Sequence, residues 1–274
     1  ASAGKWDTAL KGSSALRAGL LRALGVELAS ARGLCSVEFL WDLTAFFDCI
    51  RPSLLIKRAI ALGYPERALA LGLMMHTAPR VFKIDEGFST CVELTGRSIL
   101  AGCLQSTSWA RALLHNLLER QFNMIPWAPT WQYVDDLSQH LQHEKPQRVK
   151  QLAVQSAVAL VQGLRELELE ISTKSVLLPA SDPVVLEVVR TLRALKVPIK
   201  PAHRATDLGL GTTAGKRRDA ATLGRRLLCA NRRAKRVRTL TKQNHKAKKL
   251  ARTGVRPQQT WGAEAMGASP AQVR

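Results

Sequence analysis

Two aspartates side by side, Asp135 and Asp136, interrupt a short segment, Trp131–Ser138, whose other residues suit a β-strand. Adjacent like charges repel, and a divalent cation is the usual reason for a chain to tolerate such a pair at a hairpin turn. A second carboxylate is equally out of place. Val37 to Thr44 reads as a strand with Val37, Phe39, Trp41 and Leu43 on one face and Glu38, Leu40, Asp42 and Thr44 on the other. An aspartate on so apolar a strand is costly to bury unless it is paired or binds a cation. Two strands that deliver carboxylates to one place fit a pair of Mg²⁺ ions and in-line phosphoryl transfer.

The remaining pattern supplies the packing. Ser13 and Ser14 precede Leu16, Leu20, Leu21, Leu24 and Leu28 at helical spacing, and Gly33 ends that helix. Pro52 opens a second helix, Gly63-Tyr64-Pro65 stops it, and Pro65 opens a third that runs to about Thr77. Arg80–Ile84 and Ser89–Leu94 flank Asp85-Glu86-Gly87 as a hairpin. Helix resumes around Ser108 with Trp109, Leu113, Leu117 and Leu118 on one side. Val149, Leu152, Ser156, Leu160, Leu164 and Leu167 mark a long amphipathic helix, followed by a strand at Val176–Leu178. The order strand, helices, hairpin, helix, hairpin, helix, strand is an α+β pattern rather than a parallel doubly wound one.

Charge divides the chain unevenly. Residues 1–200 hold 23 Lys and Arg against 18 Asp and Glu, whereas residues 201–274 hold 18 against 3. From about Asp219 to Arg252 the pattern is helical and strongly basic, which suits a polyanionic partner. No apolar run approaches the roughly 20 residues of a membrane span, and no signal peptide is visible, so the expected location is intracellular, in nucleus or cytoplasm. Five scattered cysteines without a C-x-x-C pair argue against a disulfide framework or a zinc knuckle. His140 and His143 read as solvated polar side chains.

In order along the chain, these blocks resemble the reverse transcriptases of non-LTR retrotransposons, with group II intron proteins as cousins. Lys11-Gly-Ser-Ser-Ala-Leu16 resembles the last finger block, and Asp42 to Asp48 resembles motif A, with Phe46 at the usual alanine. Gly102-Cys-Leu-Gln105 resembles the start of motif B, Tyr133-Val-Asp-Asp136 motif C, and Leu169 to Lys174 motif D. Asp207-Leu-Gly209 resembles motif E, and Trp261-Gly-Ala-Glu264 a block near the end of the thumb.

The resemblance implies a right-hand polymerase: a finger remnant (1–35), a palm with an antiparallel sheet (36–215), and a basic helical thumb (216–274). It implies RNA-templated addition of deoxynucleotides to a primer 3′-hydroxyl, with two Mg²⁺ ions (Mn²⁺ as substitute) and an RNA–DNA hybrid, deoxynucleoside triphosphates and no membrane as partners. Asp42, Asp135 and Asp136 would be the catalytic metal ligands. Phe47 would exclude a 2′-hydroxyl, Gln105 would line the nucleotide pocket, and Lys174 would meet the triphosphate. Arg225, Arg226, Arg232, Arg233, Lys235 and Arg236 would follow the hybrid backbone. The pattern departs from the family at Ser106, where glycine is usual, and at Ala110-Arg111, where Ser-Pro is usual. The early finger strands that clamp the triphosphate are expected upstream of Ala1, so these residues alone are expected to polymerise poorly or not at all. The competing reading is an inactive retroelement fragment that only binds nucleic acid. An RNA-dependent RNA polymerase fits less well, because Tyr133-Val134 and Phe47 differ from its usual Gly-Asp-Asp and open gate.

Overall fold

The computed structural model describes residues 4–93, 96–125, 129–215, 219–268 and 270–273. Helix α1 (Ala15–Ala31) starts where Ser14 caps it, its hydroxyl accepting the Arg17 N–H at 3.1 Å. Strand β1 (Cys35–Trp41) follows, then a short helix α2 (Phe46–Cys49), α3 (Pro52–Ala61) and α4 (Glu66–Thr77). The hairpin beyond them is smaller than the sequence pattern predicts: β2 (Lys83–Ile84) and β3 (Gly87–Phe88). Its expected end at Leu94 lies outside the described residues. Next come α5 (Ser106–Met124), β4 (Thr130–Tyr133), β5 (Asp136–His143), α6 (Pro146–Glu166) and β6 (Val176–Leu178). The chain continues through α7 (Pro183–Ala194), β7 (Lys200–Pro201), β8 (Ala205–Asp207), β9 (Leu210–Thr212) and α8 (Ala221–Gln243). Short helical turns extend to residue 273.

The fold is α+β, around a five-stranded sheet in the order β4-β5-β1-β6-β7. Three of its pairings are antiparallel, but β6 and β7 run parallel, so the sheet is mixed and the expectation of an antiparallel sheet is corrected at that edge. The reason is α7. Asp182 caps it through the Val184 N–H at 2.8 Å, Pro183 sits at its first turn, and Val185, Val188, Val189 and Leu192 are buried. A helix between two strands makes a crossover, and a crossover returns the chain parallel. The Asp-Pro start and the spacing of those valines were a sequence signal for this helix.

The two faces of the sheet differ. Val37, Phe39, Trp41 and Leu43 are all buried in the main core, with Trp109, Leu113 and Leu117 of α5 and Leu152, Leu160 and Leu164 of α6. The opposite face is covered by α1 and approached by the β8–β9 hairpin. On that face Glu38 is 2 % exposed, whereas Leu40 and Asp42 are half-buried and Thr44 is exposed. On α1 the pattern misleads. Ala18, Gly19, Arg22, Val26 and Ala29 face the sheet, while Leu21, Leu24 and Leu28 remain exposed.

The N-terminal segment is tied to the β4 edge. Asp7 bridges Gln132, Trp6 is fully buried with its indole N–H on Glu119, and Arg111 forms an ion pair with Asp7. Arg111, at a position where the resemblance expects proline, thus anchors residues 6–9 to the sheet. No helix among the described residues is long and apolar enough to cross a membrane.

Candidate metal and nucleotide site

Antiparallel register brings the acidic residues to one level. Trp41 is paired with Leu137, so the next residue along β1, Asp42, reaches the level of Asp136 at the start of β5. Tyr133 pairs with Asp136, which leaves Val134 and Asp135 as the two-residue turn of the β4–β5 hairpin. Val134 has φ of 61°, a left-handed conformation that costs a β-branched residue of the order of 1–2 kcal/mol. Residues held in that way concentrate at functional sites. The strained turn places Asp135 at the tip of the hairpin, at the end of the sheet where Asp42 follows β1.

Burial, and then the charge of Asp42, push the Asp135 carboxyl up. Asp136 is pushed up to about 6 by burial first and then by Asp135 and Asp207, although solvent reaches the residue. Among the described residues no three His, Cys, Asp or Glu side chains close into a ready metal cage. Two neighbouring carboxylates with a third alongside still fit Mg²⁺, which is commonly held by one or two protein carboxylates and completed by water and substrate phosphate. The repulsion between neighbouring carboxylates is relieved by a cation placed between them.

Ser175 completes the support of Asp42 and was not legible in the sequence. Its buried hydroxyl accepts the Asp42 N–H at 3.0 Å and donates to the Asp42 carbonyl at 3.2 Å. Ser172 N–H also donates to that carbonyl at 2.8 Å, and Leu43 bridges Ile171. Lys174, exposed in the same turn, is therefore carried next to the Asp42 backbone. Phe47 is half-buried, edge-on to the core residue Phe46 with ring centroids 5.1 Å apart. Gln105 sits at the residue before α5. Its side chain folds back onto α4, where a Cβ on Gly72 would overlap its Oε1.

Behind Asp136 lies a buried charge cluster. Arg22 on α1 pairs with Asp207 on β8 at 2.6 Å, with both side chains under 10 % exposed. Glu38 accepts the Thr212 hydroxyl at 3.0 Å and is pushed up to about 7, by burial first and then by Asp207. Its cross-strand partner His140 is not the solvated side chain its sequence context suggests. Burial pushes it down to about 4, and its Nε2 is buried without a partner. His143, by contrast, is half-buried at the end of β5 and accepts the Lys145 N–H at 2.9 Å.

On α8, Leu223, Ala230 and Val237 face inward at seven-residue spacing. At 100° per residue, Arg225, Arg232, Lys235 and Arg236 project within roughly 60° of the opposite direction, and all four are exposed. Arg233 is exposed on the flank. Arg226 is half-buried and donates to the Trp261 carbonyl at 3.2 Å, close against the β8–β9 turn at Gly209. The segment start expected at 216 lies outside the described residues.

The architecture and site define an α+β protein with carboxylates gathered at the ends of adjacent central strands and a separate basic helix. The chain matches no protein-family model, and no curated protein matches it.

Proposed function

We propose that this chain is a polymerase domain of the reverse transcriptase type, joining deoxynucleotides to a primer 3′-hydroxyl on an RNA template. The observation that supports the reading is the register that brings Asp42 at the end of β1 level with Asp136 at the start of β5, with Asp135 in the adjoining turn. Asp42 and Asp135 would hold the metal ions, with Asp136 alongside. Bound there, divalent ions would lower the pKa of the attacking hydroxyl and stabilise the departing pyrophosphate.

The remaining steps belong to the chain's own residues. Ser175 and Ser172 fix the Asp42 peptide, and the Val134 turn fixes Asp135, so the carboxylates are oriented before substrate arrives. Such positioning dominates phosphoryl transfer. Lys174 would neutralise the triphosphate, Phe47 would pack under the sugar and exclude a 2′-hydroxyl, and the outer face of α8 would follow the hybrid backbone without reading sequence.

The test is single-turnover primer extension on an RNA template with deoxynucleotides and Mg²⁺. Weak template-dependent addition that disappears in Asp42→Ala and Asp135→Ala is the expected result. Hybrid binding with no addition would make the chain a nucleic-acid-binding protein without polymerase activity. Addition that survives in both variants would place the chemistry elsewhere.

A further inference from the structure

Between the sheet and α1 lies a cavity of about 180 Å³. Side chains alternate along a strand, so Glu38 of β1, Ser138 and His140 of β5 and Trp131 of β4 turn toward it. Their neighbours Val37, Phe39, Leu137 and Leu141 turn the other way, into the main core. Glu38 pairs across the strands with His140, and Trp131 with Ser138. Arg22 and Gly25 of α1 line the facing wall. A Cβ on Gly25 would stand 3.5 Å from His140 Nδ1, so the imidazole reaches the helix. Ser138 and His140 follow Asp136 by two and four residues, roughly 7 and 14 Å along β5. The cavity is thus set apart from the carboxylates of the turn.

Its polar groups lack partners. Among the described residues, Arg22 Nε and Nη2, Ser138 Oγ and His140 Nε2 are buried without a hydrogen bond. Ser138 is 2 % exposed and Arg22 8 %. Buried polar groups are nearly always paired, and each one left alone lowers stability. Four such atoms on three residues around one cavity leave a place for a ligand that completes them.

The surroundings narrow its chemistry. Arg22 can only donate, and its charge is already met by Asp207 at 2.6 Å, with Glu38 nearby. An anion would face both carboxyl groups and a cation would face the guanidinium, so the ligand is neutral. Burial holds His140 in its neutral form, with one ring donor and one acceptor. Ala18, Leu21, Pro129 and Trp131 supply apolar walls. The volume is that of roughly six water molecules, enough for a one- or two-ring heterocycle.

We propose that this cavity binds a flat, neutral heterocycle with a cyclic amide edge, such as a keto nucleobase carries. Its carbonyl accepts from Arg22, and its remaining ring donors and acceptors meet His140 and Ser138. The same chemistry serves a free base and an unpaired base of an RNA strand. This inference does not depend on the polymerase reading.

The experiment is an NMR-followed titration with hypoxanthine, uracil and adenine of the native chain, Ser138→Ala, His140→Leu and Asp135→Ala, with thermal unfolding of each. Hypoxanthine or uracil should bind with Kd of about 0.1–1 mM, in keeping with their small size, and at least about tenfold more tightly than adenine. Ser138→Ala and His140→Leu should weaken that binding at least about tenfold, yet unfold at the native temperature or above, because each removes a group without a partner. Asp135→Ala should bind as the native chain does. Displacement of hypoxanthine by a short single-stranded RNA, but not by its abasic counterpart, would identify the strand as the source of the base; no displacement by either would identify the free base. No binding of any of the three bases, equal affinity for adenine, or native affinity in both Ser138→Ala and His140→Leu would overturn the inference. Loss of binding in Asp135→Ala alone would overturn it too, by moving the base to the carboxylates.

Discussion

The Ser175 hydroxyl brackets the peptide of Asp42, accepting its N–H at 3.0 Å and donating to its carbonyl at 3.2 Å. The two residues lie 133 positions apart, so the contact joins the end of β1 to the turn that carries Lys174. Ser175→Ala removes one partner of a buried backbone N–H and should cost about 1–3 kcal/mol in denaturant unfolding. It should also weaken Mn²⁺ binding, because Asp42 loses its fixed backbone. Unaltered metal affinity in a folded, less stable variant would make Ser175 a structural residue only.

Arg22 and Asp207 tie α1 to the β8–β9 hairpin with a buried ion pair. Removing one partner strands the other charge in the interior, so Arg22→Met should destabilise by about 3–5 kcal/mol. The double variant Arg22→Met/Asp207→Leu should recover most of that loss, since a buried pair replaced by apolar groups is often neutral. Chemical unfolding of the two single variants and the double one closes the cycle. Additive losses would show that the pair does not interact.

Glu38 gives the fold a pH dependence of definite sign. Its folded pKa, about 7, lies above the ordinary 4.5, so the unfolded chain releases the proton first as pH rises. The contribution of neutral Glu38 is complete below about pH 4.5 and lost by about pH 7. A shift of that size corresponds to about 3 kcal/mol. Asp207 and Asp136 are also raised and add to the same slope. Unfolding free energies at pH 5 and pH 8 should differ clearly less in Glu38→Gln than in the native chain. Equal differences would remove Glu38 as their source.

The basic helix α8 should bind an RNA–DNA hybrid through phosphates. Replacing Arg225, Arg232, Lys235 and Arg236 by Gln should reduce the slope of log affinity against log salt by about 2–4, at roughly 0.7–0.9 for each phosphate left without its cationic partner. Stability should change by no more than about 0.5 kcal/mol, as expected for exposed positions. Arg226→Gln should do the reverse, loosening the Trp261 contact and leaving the salt slope nearly intact. A salt titration of hybrid binding by each variant distinguishes the two outcomes.

Local patterning made much of the frame readable. The alternation along Val37–Leu43 gave the core face of β1, the helical spacing gave α5 and α6, and the paired aspartates marked the hairpin turn. What escaped depends on distant partners. Glu38 lies on the face of β1 opposite Val37 and Phe39, and its burial depends on elements distant in the chain, among them Thr212 of β9, whose hydroxyl it accepts. Arg22 lies among leucines that suggest an apolar helix face, yet Arg22 points inward and Leu21 outward because Asp207 waits beneath. Gln105 matched a motif by position, but a motif does not specify a rotamer, and its packing against Gly72 of α4 was not legible in the sequence. The parallel β7 was hidden because two residues are too short a strand to show a period.

The central claim is that Asp42 and Asp135 form one metal site that accepts a nucleotide. Mn²⁺ titration followed by electron paramagnetic resonance, with and without a deoxynucleoside triphosphate, tests it most directly. The account predicts saturable binding that tightens with the nucleotide and weakens at least about tenfold in both Asp42→Asn and Asp135→Asn, the usual size of losing one ligand's worth of charge. Equal Mn²⁺ affinity in the native chain and both variants would contradict it.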